Sequence, residues 1–203
     1  ERVLERVQQL HKPDLVIGFG GYTSIPCLLA AKLLGKKILI HEQNSVMGKT
    51  NRILSKISDK VAITYQKTIH AHPKSIYSGI PIRIKSKYNK KNSIKKKIFV
   101  IGGSQGANIF DKNLKNSIVE ISKKFSIKVI QQTNEKNISF LSDFYSKNNI
   151  ENKIFSFDKN FSIYMKKSDL CITRAGASTL AELSVLNIPF LAVPLPTSKD
   201  NHQ

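Results

Sequence analysis

The chain has 203 residues, of which 40% are hydrophobic and 23% charged, so it can bury a core and is not intrinsically disordered. Its longest apolar runs, at residues 28–34 and 190–195, are much shorter than the roughly 20 residues of a membrane-spanning helix, which predicts no bilayer span. The net charge of +19 comes mainly from lysine. Because arginine is scarce and no nucleic-acid reading motif is present, a solvated basic surface is favoured over a nucleic-acid site, and attraction to an anionic membrane surface stays open.

Two cysteines, Cys27 and Cys171, each lie within an apolar stretch. Neither belongs to a Cys-x-x-Cys pair or to a cluster with the ligand spacing of a metal site, so no metal is expected. Both are predicted to be buried, reduced core residues, as in a protein of a reducing compartment. The first residue, Glu1, already lies within a helical pattern, which suggests a piece of a longer protein.

The first part of the chain alternates helical and strand patterns. Helices are predicted through residue 10 and at 24–34 and 47–58, and strands at 14–18, 37–41, 60–63 and 76–78. This alternation is typical of βαβ units with a parallel sheet, whose apolar strands are covered on both faces.

The apolar pattern then lapses before a second, similar series begins. Residues 83–96, rich in Lys, Asn and Ser, are predicted to form a linker between a domain at 1–82 and a domain at 97–203. In the second domain the predicted strands are 98–101, 127–131, 153–157, 170–173 and 190–193, and the predicted helices are 108–124, 138–147, 161–167 and 178–186. The fold class is therefore α/β, with two Rossmann-like halves.

Ligands of open α/β sheets bind beyond the carboxyl ends of the strands, where glycine loops recur in this chain. The loop containing Gly102, Gly103, Ser104 and Gly106 follows an apolar strand and opens a helix. Its backbone amides and helix terminus can bind a phosphate, with the Ser104 hydroxyl as a further donor. A tight turn with Ser104 as a helix cap explains the same residues.

The loop before the helix at 178–186 offers a second pair of interpretations. Ser178 can cap that helix, and Glu182 can accept hydrogen bonds from both hydroxyls of a ribose. Alternatively Thr179 and Glu182 have the spacing of a capping box, in which the carboxylate only completes the helix terminus. Spacing alone favours the capping box slightly.

Two polar loops of the first half complete the set of candidates. The sequence HEQN at 41–44 places His41, Glu42 and Asn44 in one turn after a strand, and such a density of donors and acceptors suits a sugar. Gly20, Gly21 and Tyr22 follow the preceding strand and repeat the glycine-loop pattern. A glycine loop in each half suggests two phosphate-bearing ligands that meet in a cleft.

Six motifs in order resemble those of the MurG family, within glycosyltransferase family 28. They are GGYTS at 20–24, HEQN at 41–44, GIPIR at 79–83, GGSQGA at 102–107, RAGASTLAE at 174–182 and KDNHQ at 199–203. The resemblance implies an enzyme of the GT-B type, with two Rossmann-like domains facing across a cleft and both incomplete in this chain. The family's members are inverting hexosyltransferases that move N-acetylglucosamine from UDP-N-acetylglucosamine to the 4-hydroxyl of muramoyl-pentapeptide on undecaprenyl diphosphate.

The same resemblance implies partners, a location and ligand contacts. The partners are UDP-N-acetylglucosamine, the lipid-linked acceptor known as lipid I and an anionic membrane surface, with no cofactor and no nucleic acid, and the location is peripheral, on the cytoplasmic face of the bacterial inner membrane. The implied sugar-nucleotide contacts are Asn44, Arg83, Ser104, Asp158, Ala177, Ser178, Thr179, Leu180, Ala181, Glu182 and Gln203. At the position of Asp158 the family commonly has an apolar residue and contacts the uracil through its backbone.

The resemblance leaves the catalytic base unassigned, because the family's glycine and histidine loop lies outside the chain. His41 and Glu42 are candidates that shape the acceptor site, and the chain alone is expected to be inactive or poorly soluble. Two alternatives stay open. One is a sugar-nucleotide-binding or membrane-recruiting subunit without catalysis, and the other is a related transferase with another UDP-sugar or lipid acceptor.

Overall fold

A computed structural model describes residues 12–82 and 94–194, without the side chains of residues 103–107. The predicted helix through residue 10, most of the predicted linker, Arg83 and Gln203 lie outside the described residues, as does the side chain of Ser104. The chain divides into two compact units at Pro81 and Ile82, and each unit is described by itself.

Unit 1 is a parallel sheet with helical connections. Its elements are β1 (Leu15–Gly18), α1 (Ser24–Leu33), β2 (Lys37–Glu42), α2 (Lys49–Leu54), β3 (Lys60–Ile63) and β4 (Ser75–Tyr77). The four strands are parallel in the order β1-β2-β3-β4, with Ile40 opposite Val61 and Ile63 opposite Tyr77. Leu28 of α1 packs on Ile38 and Ile40 of β2 and holds the helix against the sheet.

Unit 2 is a larger sheet with helices on both faces. Its elements are β5 (Lys96–Ile101), α3 (Gly103–Ser122), β6 (Ile127–Gln132), a 3₁₀ turn (Glu135–Asn137), α4 (Ile138–Lys147), β7 (Glu151–Phe155), α5 (Phe161–Lys166), β8 (Leu170–Arg174), α6 (Ala177–Val185) and β9 (Phe190–Val193). The five strands are parallel in the order β7-β6-β5-β8-β9.

The central strand β5 shows why unit 2 needs cover on both faces. Phe99 and Ile101 belong to one buried cluster, and Ile98 and Val100 belong to another on the opposite face. This alternation follows from the two-residue period of a strand. The predicted cover on both faces is therefore confirmed for β5. It is wrong for the edge strand β1, where Ile17 is 48% exposed.

The helix predicted at 47–58 is shorter in the structure because serine side chains compete for its carbonyls. The helix ends at Leu54, and the hydroxyl of Ser55 donates to the carbonyl of Arg52 at 2.8 Å. The hydroxyl of Ser58 donates in turn to the carbonyl of Ser55 at 3.1 Å. Such local side-chain bonds favour turns over a continued helix.

The structure corrects one of the two cysteine predictions. Cys171 is buried, and burial raises the pKa of its thiol to about 12. Cys27 is exposed, because the buried face of α1 is formed by its neighbours Leu28, Ala30 and Ala31. The prediction of a buried Cys27 is therefore wrong.

The difference in burial predicts that Cys27 reacts with thiol reagents much faster than Cys171. In the folded full-length protein, Cys27 is expected to react with a disulfide reagent at the rate of an exposed thiol, and Cys171 only after unfolding, because a thiolate is disfavoured inside the core. The measurement is the time course of thiol labelling for Cys27→Ser and Cys171→Ser variants. Fast labelling that survives in Cys27→Ser and vanishes in Cys171→Ser would contradict it.

The described residues contain neither a membrane-spanning helix nor a cluster of metal-ligating side chains. No helix within 12–82 or 94–194 is both long and apolar enough to cross a membrane. Over the same residues, no three His, Cys, Asp or Glu side chains come close enough together to hold a metal ion.

Candidate functional site

At the carboxyl edge of unit 1, the buried side chain of Glu42 organises the loop that follows β2. Glu42 is 2% exposed. Its Oε1 accepts hydrogen bonds from the Asn44 backbone N–H at 2.9 Å and from Asn44 Nδ2 at 3.0 Å. Its Oε2 accepts from the Gly48 N–H at 3.1 Å and from Asn51 Nδ2 at 2.8 Å. Both oxygens of the carboxylate are thus occupied by donors of the same loop and of α2.

The ring of His41 is also bonded on both sides. Gln43 Nε2 donates to His41 Nδ1 at 3.1 Å and to the His41 carbonyl at 2.7 Å. With Nδ1 as an acceptor, the proton of the neutral ring is on Nε2, which donates to the Gly79 carbonyl at 2.9 Å. His41 is 6% exposed, so its ring connects the end of β2 to the turn at Gly79 inside the protein.

An open pocket of about 360 Å³ brings the predicted residues of unit 1 together. Gly20, Gly21, Tyr22, Glu42 and Asn44 all line it. The two glycines adopt left-handed conformations, with φ of 85° and 76°. A Cβ at position 20 would also lie only 3.1 Å from Asn51 Nδ2, the amide nitrogen that donates to Glu42. The pocket therefore requires glycine at position 20.

Asn51 is a pocket residue that the sequence analysis missed. It is 2% exposed and lies in α2, where a polar side chain gives no sequence signal of burial. Its Nδ2 is bonded to Glu42, but its Oδ1 is buried without a partner among the described residues. This acceptor lies buried behind the pocket wall.

At the carboxyl edge of unit 2, the glycine loop is the start of a helix. The structure begins α3 at Gly103, with Gly102 at the N-cap, so the predicted turn at 102–106 is already helical. The first amides of a helix have no intrahelical acceptor, and the aligned peptide dipoles favour an anion there. The backbone therefore has the form expected of a phosphate site.

The start of α6 decides between the two interpretations of Glu182. Gly176 is the N-cap, and its carbonyl accepts from the Leu180 N–H at 3.0 Å. Neither Ser178 nor Thr179 makes a capping bond, since both lie inside the first turn. The capping box and the Ser178 cap are therefore wrong. The half-buried carboxylate of Glu182 makes no hydrogen bond or ion pair with the described residues.

Arg174, at the end of β8, is a second residue that the sequence analysis assigned no role. Its Nη1 donates to the Pro194 carbonyl at 2.9 Å, and its guanidinium lies 4.9 Å from the ring centroid of Phe110 in α3. Its Nε and Nη2 are buried without a partner in the described part of the chain. The side chain thus connects β8, the end of β9 and the helix that begins at the glycine loop.

A buried network below this edge fixes α3 on the sheet. Asp111 Oδ1 accepts from Gln131 Nε2 at 2.8 Å, and its Oδ2 accepts from the Thr133 hydroxyl at 2.5 Å and from Asn137 Nδ2 at 2.8 Å. The Tyr145 hydroxyl donates to Gln131 Oε1 at 2.9 Å. Burial, with Asp111 nearby, raises the pKa of Tyr145 far above its usual range, so the phenol stays protonated.

The carboxylate of Asp158 is already used within the protein. It accepts from the Tyr164 hydroxyl at 2.6 Å, from the Asn160 N–H at 2.8 Å and from Lys153 Nζ at 3.0 Å. These donors, the tyrosine hydroxyl foremost, hold the pKa of Asp158 well below its usual range. Three donors of the protein therefore already bind this carboxylate.

The architecture is that of a known class of glycosyltransferases. Two parallel sheets with polar loops at their carboxyl edges are the fold of the GT-B glycosyltransferases. Residues 97–203 match the glycosyltransferase family 28 C-terminal domain, and residues 3–63 match the glycosyltransferase family 28 N-terminal domain. The chain belongs to glycosyltransferase family 28.

Similar curated proteins carry one name, UDP-N-acetylglucosamine–N-acetylmuramyl-(pentapeptide) pyrophosphoryl-undecaprenol N-acetylglucosamine transferase. The protein of Pelagibacter ubique is 42% identical over 201 residues, which are 95% of this chain and 56% of the relative. That of Rickettsia canadensis is 37% identical over 215 residues, 99% of this chain and 61% of the relative. The chain thus spans little more than half the length of these relatives.

Among solved structures, MurG of Acinetobacter baumannii matches with a TM-score of 0.75 and 29% identity, over 99% of this chain and 58% of that one. The UDP-GlcNAc 2-epimerase of Neisseria meningitidis, solved with UDP-GlcNAc bound, matches with a TM-score of 0.68 and 15% identity, over 94% of this chain and 62% of that one. The second likeness is one of fold alone.

Proposed function

We propose that the full-length protein transfers N-acetylglucosamine from UDP-N-acetylglucosamine to the 4-hydroxyl of muramoyl-pentapeptide on undecaprenyl diphosphate, with inversion at the anomeric carbon. The observation that carries the proposal is the carboxylate of Glu182 in the second turn of α6, to which no described residue donates, at the same sheet edge as the glycine-rich start of α3. The name of the relative that is 42% identical supports the substrates.

The donor binds at the carboxyl edge of unit 2. The amides that begin α3, with the hydroxyl of Ser104, stabilise the diphosphate as negative charge develops on the leaving UDP. Glu182 accepts hydrogen bonds from the ribose hydroxyls, and Ala177 to Ala181 position the sugar on the first turn of α6. By their place in the family's motifs, Asn44, Arg83 and Gln203 are further candidate contacts of UDP-N-acetylglucosamine.

The acceptor binds at the pocket of unit 1, beside Gly20, Gly21 and Tyr22. His41 and Glu42 hold the shape of this pocket rather than taking the acceptor proton, since both ring nitrogens and both carboxylate oxygens are bonded within the protein. Neither residue is therefore proposed as the catalytic base. The enzyme works at the cytoplasmic face of the inner membrane, where its lysines favour anionic lipid.

The test is transfer of labelled N-acetylglucosamine from its UDP donor to a lipid I analogue by the full-length protein. We expect a product with the mobility of the disaccharide lipid, and competition by unlabelled UDP. Binding of UDP-N-acetylglucosamine without transfer to this acceptor or to diacylglycerol would favour a binding subunit. Transfer from another UDP-sugar only, or to diacylglycerol only, would favour a related transferase.

A further inference from the structure

The loop after β7 is held by three donors from three places that converge on one carboxylate. Lys153 lies in β7, Tyr164 lies in α5, and the Asn160 N–H belongs to the loop itself. The Tyr164 hydroxyl also lies against Lys153 Nζ, and that ammonium lies 4.4 Å from the centroid of the tyrosine ring. We call Lys153, Asp158 and Tyr164 the clamp.

The clamp is better packed than an ordinary surface ion pair. The side chain of Asp158 is only 17% exposed. Isolated surface pairs stabilise little, because two long side chains lose entropy and water screens the charges. Here the tyrosine hydroxyl and a backbone amide add hydrogen bonds to a charged acceptor, which are stronger than neutral ones.

The loop at residues 156–160 also has backbone N–H groups without a described acceptor. The amides of Phe157 and Asp158 donate to no acceptor among the described residues. The loop follows the carboxyl end of β7, and β7 is separated from β5 by one strand. Since neighbouring strands lie about 5 Å apart, the loop is about 10 Å from the glycine-rich start of α3. A nucleoside diphosphate is long enough to reach from one to the other.

We infer that Asp158 is a positioning residue for the nucleobase: through the clamp it fixes the 156–160 loop so that the loop backbone, not the carboxylate, meets the base. The inference rests on the proposed function, because it takes a UDP-sugar as the ligand. A loop ordered in advance loses less conformational freedom when the nucleotide binds, so the affinity rises without any new contact to the ligand.

The test measures UDP binding to the full-length protein by calorimetry for Lys153→Met, Asp158→Asn and the double variant. Each single variant is expected to weaken UDP about three- to tenfold, and the double variant no more than the stronger single one, since both break the same clamp. The loss is expected to be the same for UMP, and kcat of transfer is expected to stay while KM for the donor rises.

Lys95→Met is the matched control, because Lys95 also donates to a carboxylate of β7, Glu151, at 2.7 Å, but at the opposite end of the strand. It is expected to leave UDP affinity unchanged. A ligand-free measurement accompanies the binding data. Hydrogen exchange at the Asn160 and Phe161 amides is expected to quicken in Lys153→Met and Asp158→Asn but not in Lys95→Met.

Three outcomes would overturn the inference. Unchanged UDP affinity in both single variants removes the positioning role. Weakened binding in Asp158→Asn with normal binding in Lys153→Met means that the carboxylate touches the ligand itself. A parent protein that binds no UDP overturns the proposed function together with the inference, and is thereby distinguished from the first two outcomes.

Discussion

Replacing Glu182 by alanine in the full-length protein is expected to weaken UDP-N-acetylglucosamine binding by about 10- to 100-fold, because hydrogen bonds to a charged group contribute about 1.5–3 kcal/mol. Glu182 lies in the second turn of α6, and helical side chains lean towards the amino terminus. The carboxylate is therefore expected to lie over the first turn of α6, beside Ser178 and Thr179. No described residue competes for it, so its hydrogen-bonding capacity is left for the ribose.

Two measurements distinguish this role from a general loss of structure. Calorimetry with UDP and with 2′-deoxy-UDP should show that the deoxy ligand is weaker for the parent but equal to UDP for Glu182→Ala. Glu120→Ala is the matched control, since Glu120 is an exposed glutamate of α3 whose partner among the described residues is Lys123, at 2.6 Å. Equal UDP affinity in Glu182→Ala and the parent would rule out ribose binding by this residue.

Glu42→Gln is expected to destabilise unit 1 by about 2–4 kcal/mol, because a buried polar group left without its partner costs about 1–3 kcal/mol and more than one such group results. The carboxylate accepts four hydrogen bonds, two on each oxygen. Glutamine has the same shape but replaces one oxygen by an NH₂ group. Two donors of the loop or of α2 then face a donor.

Denaturant unfolding monitored by hydrogen exchange of β2 amides measures this loss for unit 1 alone, with Glu120→Gln as the exposed control. Transfer activity is measured on the same samples under conditions in which the variant stays folded. Transfer activity is expected to fall as the loop after β2 becomes less ordered, because Glu42 holds that loop through its hydrogen bonds. A folded Glu42→Gln protein of unchanged stability and no activity would instead identify Glu42 as a catalytic residue.

The sequence predicted most of the secondary structure because its signals are local. The strand at 60–63, the helix at 138–147 and the strand at 190–193 have the predicted bounds. Each is a short apolar or amphipathic run that ends at a turn-forming residue, which is information carried within a few positions. The helix predicted at 108–124 begins earlier, at Gly103, because glycines near a helix start resemble a turn in the sequence.

Burial was harder to predict than secondary structure. Cys27 has the same apolar neighbours as a core residue, but one position on a helix turns a side chain by about 100°, and the face of α1 that meets the sheet is the one with Leu28. Which face is covered depends on where the sheet lies. No window of sequence contains that information.

The sequence alone determined the order of elements, the class of fold and the candidate carboxylates, since these follow from local patterns and from motifs of adjacent residues. Only the tertiary structure decided which of these carboxylates accept hydrogen bonds from the protein itself. Glu42 and Asp158 are bound by donors of their own loops and of neighbouring helices and strands, whereas no residue that the structure describes donates to Glu182. In sequence all three are acidic residues near a strand end. Whether a carboxylate binds a ligand or the protein depends on which donors lie within about 3 Å, and folding brings those donors together from separate elements.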